Sequence, residues 1–505
     1  MKNKSRVKNV MNNVFFSLIC QAVNLIMQFV GRTVFIHTLT EEYLGINGLF
    51  ANILTILSFA ELGIGEAIIF NLYKPLAEND RKKTASLMLL YKKAYTLIGI
   101  FVAVAGVCVV PFLNVIIKDT PDIAESLTLV YLLFLFDTAS SYFFAYKKSI
   151  IIADQQNYLV ELYTQGVKVC MVILQCAVLL TTGNYIAYLL LQIAGTLCSN
   201  IVLSRKAEKM YPYLKDKAEK LPKSETANIF KNVRSLVVYK FGSVILNGTD
   251  NIIISATMKV AYVGLVSNYN LIINACSSVL GRVVNAFTAS LGNVNAIEKN
   301  DKKYFVFRKV FMINSWMYGF VAVCLQLLTN DFIRLWIGEK YVLSEWVLTA
   351  LALHFYIFGV HSTASTYRTT LGLFVKGKIA PVLAAILNIF LSLWLGKLIG
   401  LSGIFFATSI SRILTMGIVD PIIVFNKIEQ PVFKYYLLYA KHAALSIALC
   451  LLLKYAISFI TINSIFSWIL AAIVVAIGFN GMMLALFAKN KEFRDIAASV
   501  KRRII

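Results

Sequence analysis

Charge is what this chain has least of. Asp, Glu, Lys and Arg make up 15% of its 505 residues, where a soluble protein carries about a quarter. Mean hydropathy is +0.71, and apolar runs long enough to cross a bilayer recur about every 30 residues. The scarcity excludes a soluble fold and indicates an all-α polytopic membrane protein.

Cysteine pairs are also missing. The eight cysteines (Cys20, Cys108, Cys170, Cys176, Cys198, Cys276, Cys324 and Cys450) all lie in apolar segments, and none forms a CxxC. Neither a disulfide framework nor a thiolate metal site is indicated, and each reads as a small apolar residue. Catalytic signatures fail one by one. GLFVKGK (372–378) fits GxxxxGK, but Ile379 stands where a magnesium-binding Ser or Thr is needed, in a short loop between membrane segments. His354 and His361 are two helical turns apart, ~10 Å along the axis, too far to share a metal. Asn247-Gly248-Thr249 is a glycosylation sequon inside an apolar segment. No nucleophile–base–acid set is recognisable, so the expectation is a protein that is not an enzyme, with no cofactor and no metal.

What is present is a long series of spans. The basic N-terminus MKNKSRVKNV precedes an apolar run of about 24 residues, against 7–15 for a signal-peptide core, and reads as an uncleaved first helix. Fourteen spans are expected near 14–36, 44–73, 94–117, 124–146, 158–181, 184–204, 235–258, 263–290, 310–329, 346–367, 379–399, 401–425, 441–460 and 464–488. With both termini cytoplasmic, 38 of the 49 Lys and Arg fall in or beside inner segments and 5 in or beside outer loops. That asymmetry is the positive-inside rule. The net charge of +23 is therefore topological, and no nucleic-acid partner is called for.

The basic segment Ser204 to Arg234, with Pro212 and Pro222, separates six spans from eight. The expected organisation is an N-lobe (1–203), a cytoplasmic linker (204–234), a C-lobe (235–427) and a final helix pair with a basic tail (428–505). The two sides match at an offset of 219–220: Tyr43-Leu44-Gly45 with Tyr262-Val263-Gly264, and AENDRKK (77–83) with IEKNDKK (297–303). Gln21, Asn24, Gln28 and Arg32 fall on Lys240, Ser243, Asn247 and Asn251. Steps of three and four put each set on one helix face, which should meet protein or water rather than lipid. Six spans per copy make the copies parallel, giving two six-helix lobes around a central cavity.

Charges inside spans are functional-site hypotheses by default. Asp137 and Lys168 fall near the midplane on adjacent spans, as an ion pair or as cavity-lining groups. Arg412 is near mid-span, Arg282 and Lys240 lie in the inner halves of theirs, and Arg32 is near an outer end where it can also snorkel. The excess of cations suggests an anionic substrate, since a guanidinium fork suits phosphate and Lys acts as a point charge. The second span carries two acids in FAELGIGEAIIF (59–70). Five residues turn a helix by ~500°, so Glu61 and Glu66 sit ~140° apart and cannot centre on one face. Ser58, Glu61 and Gly65 share the face expected to meet the cavity.

FAELGIGEAI followed by LYKPLAEND resembles the acidic-Leu-Gly-x-Gly-x-Ala segment and Tyr-x-Pro turn of the polysaccharide repeat-unit (Wzx-type) flippases of the multidrug/oligosaccharidyl-lipid/polysaccharide exporter superfamily. DNIIIS (250–255), VGLVSNYN (263–270), SLGNVNA (290–296), FIRLWIG (332–338) and YRTTLGLF (367–374) resemble further family segments, as does the stretch from Pro381 through Asn388 and Ser392 to Gly403. The chain departs from the pattern at Glu66, where a small or hydroxyl residue is more usual. The resemblance implies alternating access between two lobes in a bacterial plasma membrane. The implied substrate is an undecaprenyl-diphosphate-linked oligosaccharide moved from the inner to the outer leaflet, with polysaccharide polymerase machinery as a partner. By analogy with the fourteen-span lipid II flippase, the last two helices flank a groove for the polyprenyl tail. Candidate substrate contacts are Arg32, Lys168, Lys240, Arg282, Arg412, Asn247 and Gln28. Candidate ion-coupling or charge-balancing groups are Glu61, Asp137, Asp250 and Glu66. A lipid II flippase and a cation-coupled multidrug exporter of the same superfamily are the alternatives; a membrane glycosyltransferase or polymerase would need larger outer loops than Asn330 to Glu345.

Overall fold

The computed structural model describes residues 2–61, 64–118, 121–215, 218–373 and 376–504. Among them the regular structure is helical throughout, with no strand. In chain order the helices are α1 (Lys2–Thr38), α2 (Glu41–Leu57), α3 (Ile64–Glu78), α4 (Arg81–Val109), α5 (Leu113–Ile116), α6 (Leu127–Ala145), α7 (Lys148–Ala153), α8 (Asn157–Thr182), α9 (Tyr185–Met210) and α10 (Lys223–Thr257). There follow α11 (Val260–Ile297), α12 (Asn300–Ile337), α13 (Glu345–Thr370), α14 (Ala380–Ile399), α15 (Leu401–Leu414), α16 (Met416–Lys427), α17 (Phe433–Ile457), α18 (Ile465–Phe487) and α19 (Lys491–Ile504).

Among the described residues, twelve segments are long and apolar enough to cross a membrane. They correspond to twelve of the fourteen windows; the other two, 44–73 and 235–258, are helical but differ for physical reasons. The first is split between α2 and α3 by a 3-10 turn at Ser58–Glu61. The second lies within α10, a 35-residue helix that starts at Lys223 and carries polar groups along its length. Much of the expected linker is therefore helical, with α9 running to Met210 and α10 starting after Pro222. Hydropathy marks only the apolar stretch of a helix, so helices that continue into water are read short.

The chain divides into two compact units, Met1–Gly264 and Leu265–Ile505, a boundary one helix later than the 204–234 segment. In the first unit α1 lies along α8, α8 along α9, and α6 between α4 and α9. Aromatic edges close one end of this bundle: the Tyr43 and Tyr185 rings are 4.7 Å apart, and Tyr185 Oη donates to Asn47 at 2.9 Å. At the other end Lys147 pairs with Glu208, and Lys83 with Glu225 at 2.7 Å. Burial pushes the Tyr211 phenol upward, helped by Asp154, whose carboxylate accepts its hydrogen bond at 2.8 Å.

α10 belongs to this unit because α2 packs along it. The approach is set by glycine. A Cβ on Gly45 would meet the Val260 carbonyl oxygen, and one on Gly264 would meet the Glu41 carbonyl oxygen. Each contact is the other's image under the 219-residue offset of the internal repeat. The matching YLG and YVG motifs thus cross one another at the starts of α2 and α11.

In the second unit α12 packs against α13 on one side and α17 and α18 on the other. Phe307, Phe311, Tyr367, Phe425 and Tyr435 make a buried aromatic core. α17 and α18 meet α12 through Leu449, Leu453, Val475 and Phe479, and Trp468 Nε1 donates to the Leu328 carbonyl at 3.0 Å. α19 is fixed to α12 by Arg308–Glu492 at 2.5 Å and by Phe493 stacking on Trp316. The twelfth expected span is interrupted at Thr415 (φ −115°, ψ −85°), between α15 and α16. Pro421, inside α16, has no N–H to offer the Gly417 carbonyl four residues back. The Tyr436 hydroxyl lies 3.5 Å from that carbonyl and takes its place.

Candidate functional site

A polar ladder runs between α1 and α8. Tyr158 N–H donates to Asn13 Oδ1 at 2.8 Å, and Asn13 Nδ2 donates to the Gln155 carbonyl at 2.9 Å. Ser17 Oγ and Asn157 Nδ2 reach the Glu161 carboxylate at 3.3 and 3.0 Å. Two turns further, Lys168 Nζ donates to Asn24 Oδ1 at 2.6 Å. Of the α1 stripe, Asn24 is the member bonded to α8 here, and the Asn13 and Ser17 contacts extend the same seam toward the start of α1. Gln28, Gly31 and Arg32 continue the stripe half-buried, with Gly31 against Val172 and Arg32 beside Tyr188 of α9.

Lys168 is exposed despite this bond. It stands in the middle of α8, a helix apolar enough to span a membrane. An ammonium in such a helix is costly against hydrocarbon and makes Lys168 a candidate functional group. Asp137, expected near Lys168, turns elsewhere. Its Oδ2 accepts from Gln192 Nε2 on α9 at 3.2 Å, and its buried Oδ1 has no hydrogen-bond partner among the described residues.

The break in the second span forms another polar site in the same unit. Ser58 Oγ donates back to the Leu54 carbonyl at 2.7 Å, a local bond that competes with helix continuation. Glu61 ends the 3-10 turn, half-buried, and its Oε1 accepts from Tyr95 Oη at 3.2 Å. Gly65 leaves room for that hydroxyl, since a Cβ would come within 3.1 Å of it. The Tyr95 and Tyr142 rings are 6.2 Å apart, and Tyr142 lies beside Ser58 and Glu61. Ser58, Glu61 and Gly65 stand on the two sides of the break rather than on one continuous helix, and all three come near the buried phenols of Tyr95 on α4 or Tyr142 on α6. The side chain of Glu66 lies outside the described residues, as do those of Lys240 and Asn247. The backbone of all three is helical. Asp250 on α10 is half-buried.

In the second unit Arg282 is half-buried on α11. Arg412 is 4% exposed, its guanidinium 4.8 Å from the centre of the Phe358 ring, a cation–π contact within α13 and α15. His354 flanks the same ring, 6.5 Å from it.

The most enclosed ionic group among the described residues is one that the sequence pattern does not announce. Asp420 of α16 is fully buried between Arg368 and His361 of α13. The available signal was the seven-residue spacing of His361 and Arg368, which puts both on one face. A second missed group joins α12 to α17: Ser315 Oγ and His442 Nδ1 are 2.8 Å apart. No cluster of His, Cys, Asp and Glu among the described residues has the arrangement to hold a metal.

No protein-family model and no curated protein matches this chain. Solved structures do. A lipid II flippase, MurJ, in an inward closed conformation is similar with TM-score 0.64 and 16% identity, covering 94% of this chain and 99% of the flippase. An inward-facing multidrug resistance MATE family transporter of the MOP superfamily matches with TM-score 0.63 and 12% identity, over 83% of this chain and 96% of its own. A MOP superfamily transporter from Pyrococcus furiosus, for which a reversed binding-pocket polarity suggests a different function, matches with TM-score 0.55 and 11% identity over 84% and 96%. The chain therefore has the fold of the MOP superfamily transporters, an all-helical fold with multiple membrane-spanning helices.

Proposed function

We propose that this protein is a flippase for an undecaprenyl-diphosphate-linked oligosaccharide, carrying it from the inner to the outer leaflet by alternating access. The single observation that carries the reading is Lys168, a lysine exposed in mid-span and held by Asn24 of the polar ladder. A lysine so placed is a point charge for an anion, and the diphosphate is the constant anionic part of such a lipid. Arg32 and Gln28 are proposed to extend this polar surface of the first unit for diphosphate and sugar, and Arg282 is proposed separately as a substrate contact of the second unit. Glu61, with Tyr95 and Tyr142, is proposed as the coupling or charge-balancing group of the first unit, with Asp137 and Asp250 in the same role. The resemblance in motif order favours repeat-unit lipids and a polysaccharide polymerase as the downstream partner. Both termini are assigned to the cytoplasm on the distribution of Lys and Arg.

Lipid II is the second reading, favoured by the near-complete coverage of the lipid II flippase fold. One experiment separates them. Deletion of the gene, followed by analysis of lipid-linked intermediates, is expected to accumulate an undecaprenyl-diphosphate oligosaccharide on the cytoplasmic side. Accumulation of lipid II instead transfers the assignment to the second reading. Normal glycan export together with drug sensitivity would sink both and favour a multidrug exporter.

A further inference from the structure

The second unit holds a buried ionic group that the transport reading leaves unused. Asp420 is 0% exposed, and its two oxygens face different partners. Oδ1 accepts from Arg368 Nη1 at 2.8 Å, and Oδ2 lies 3.2 Å from His361 Nε2. His361 and Arg368 are each 4% exposed and stand two turns apart on α13, with the Asp420 carboxylate lying between them from α16 and its Oδ2 left without a hydrogen-bond partner among the described residues. His361 Nε2 is also 3.1 Å from the Met416 carbonyl. Both of its neighbours are acceptors, so Nε2 carries a hydrogen in the neutral ring and in the imidazolium alike.

Charge balance does not require this histidine. Arg368 is permanently charged and already makes a neutral pair with Asp420. The guanidinium occupies the place a metal cation would need. An imidazole whose Nε2 already carries a hydrogen has Nδ1 left to accept one further proton, with the Asp420 carboxylate as a nearby counter-charge. The placement gives that proton a consequence. Met416 is the first residue of α16, next to the Thr415 break, and Pro421 directly follows Asp420. The imidazole therefore holds the interrupted span at its weakest point.

The other charged and titratable groups around it are of different kinds or lie further along. On α13, His354 is two turns before His361, beside Arg412 of α15. Tyr367 of α13, Tyr304 and Tyr318 of α12 and Tyr435 of α17 belong to the buried aromatic cluster; Tyr435 lies close enough to Asp420 to interact with its charge, and Tyr436 of α17 reaches the Gly417 carbonyl beside the break. The 371–379 connection carries Lys376 and Lys378 and brings Gly377 against Arg368. α16 ends in Lys427, followed by Glu429, and α14 has no ionisable residue before Lys397.

We infer that His361, Asp420 and Arg368 form a proton-binding site whose occupancy sets the conformation of the break in the twelfth span. The inference is independent of the substrate assigned above. Its test is amide hydrogen exchange of residues 411–421 in purified full-length protein in lipid nanodiscs, at about pH 5 and about pH 8. Exchange is expressed relative to α14, which cancels the intrinsic effect of pH. Wild-type protein is expected to show a relative exchange that changes by about threefold or more between the two conditions. His361→Gln keeps a donor toward both acceptors but does not titrate, and is expected to abolish the change. His354→Gln removes the neighbouring imidazole and is expected to leave it intact. Relative exchange that is the same at both pH values in wild type overturns the inference, as does a change that survives His361→Gln or disappears in His354→Gln. If His361→Gln does not fold, the wild-type comparison and His354→Gln still decide.

Discussion

Lys168 shows what one side chain in mid-membrane commits a protein to. Its amine donates to Asn24 and the residue is exposed, so the ammonium has donors left for an anion. Lys168→Gln is expected to keep expression and thermal stability while lowering transport of the lipid-linked oligosaccharide about tenfold or more, the loss of one charge-assisted contact of about 1.5–3 kcal/mol. Transport of purified lipid into proteoliposomes measures it, and an unchanged rate removes the cationic-surface reading. Asp420→Asn belongs at the same scale with the opposite signature. It leaves a buried guanidinium without its counter-ion, so a loss of about 3–5 kcal/mol of stability is expected, seen as a lower midpoint of thermal unfolding in detergent. Lys168 was legible in the sequence because one helix period locates it. The Asp420 group was not, because its members come from α13 and from the far side of a helix break that hydropathy does not register.

Helices in this protein are defined as much by where they stop as by where they run. Both interrupted spans hold a carboxylate within six residues of the break: Glu61 in the 3-10 turn before α3, and Asp420 after Thr415. Each carboxylate is met by side chains of neighbouring helices, phenols in one case, guanidinium and imidazole in the other. Such breaks expose backbone carbonyls, which a membrane tolerates only where other groups satisfy them. Tyr436→Phe removes the hydroxyl that covers the Gly417 carbonyl and is expected to cost about 1–3 kcal/mol, with hydrogen exchange rising locally around 415–421. The apolar content of spans was readable because it depends on composition alone. The extensions of α10, α11 and α12 beyond their apolar windows, and the split of α2 from α3, depend on local bonds such as Ser58 to Leu54, which no period announces.

At the scale of the whole molecule, the skew of Lys and Arg predicts orientation. A single cysteine at Lys82 or at Lys340, in an otherwise cysteine-free background, is expected to label from opposite sides of the membrane, Lys340 from outside in intact cells. Labelling of both from one side would overturn the topology. The internal repeat was legible as matched motifs, and the structure adds what the match is for: the glycines of the two copies meet. Gly45→Ala or Gly264→Ala forces a methyl into a backbone carbonyl, and each is expected to lower the unfolding midpoint more than Gly166→Ala on the open side of α8, where a Cβ meets nothing.

That crossing also sets a schedule for synthesis. α2 emerges early, but the surface it closes on includes Val260 and Gly264, over 200 residues later. At about 5–20 residues per second, the ribosome takes on the order of ten seconds or more to cover that interval. Throughout it the start of α2 waits in the membrane with its glycine face uncovered. A chain truncated after residue 203 should remain in that waiting state, open to proteolysis in the 41–57 region, while one ending after residue 264 has the partner it needs.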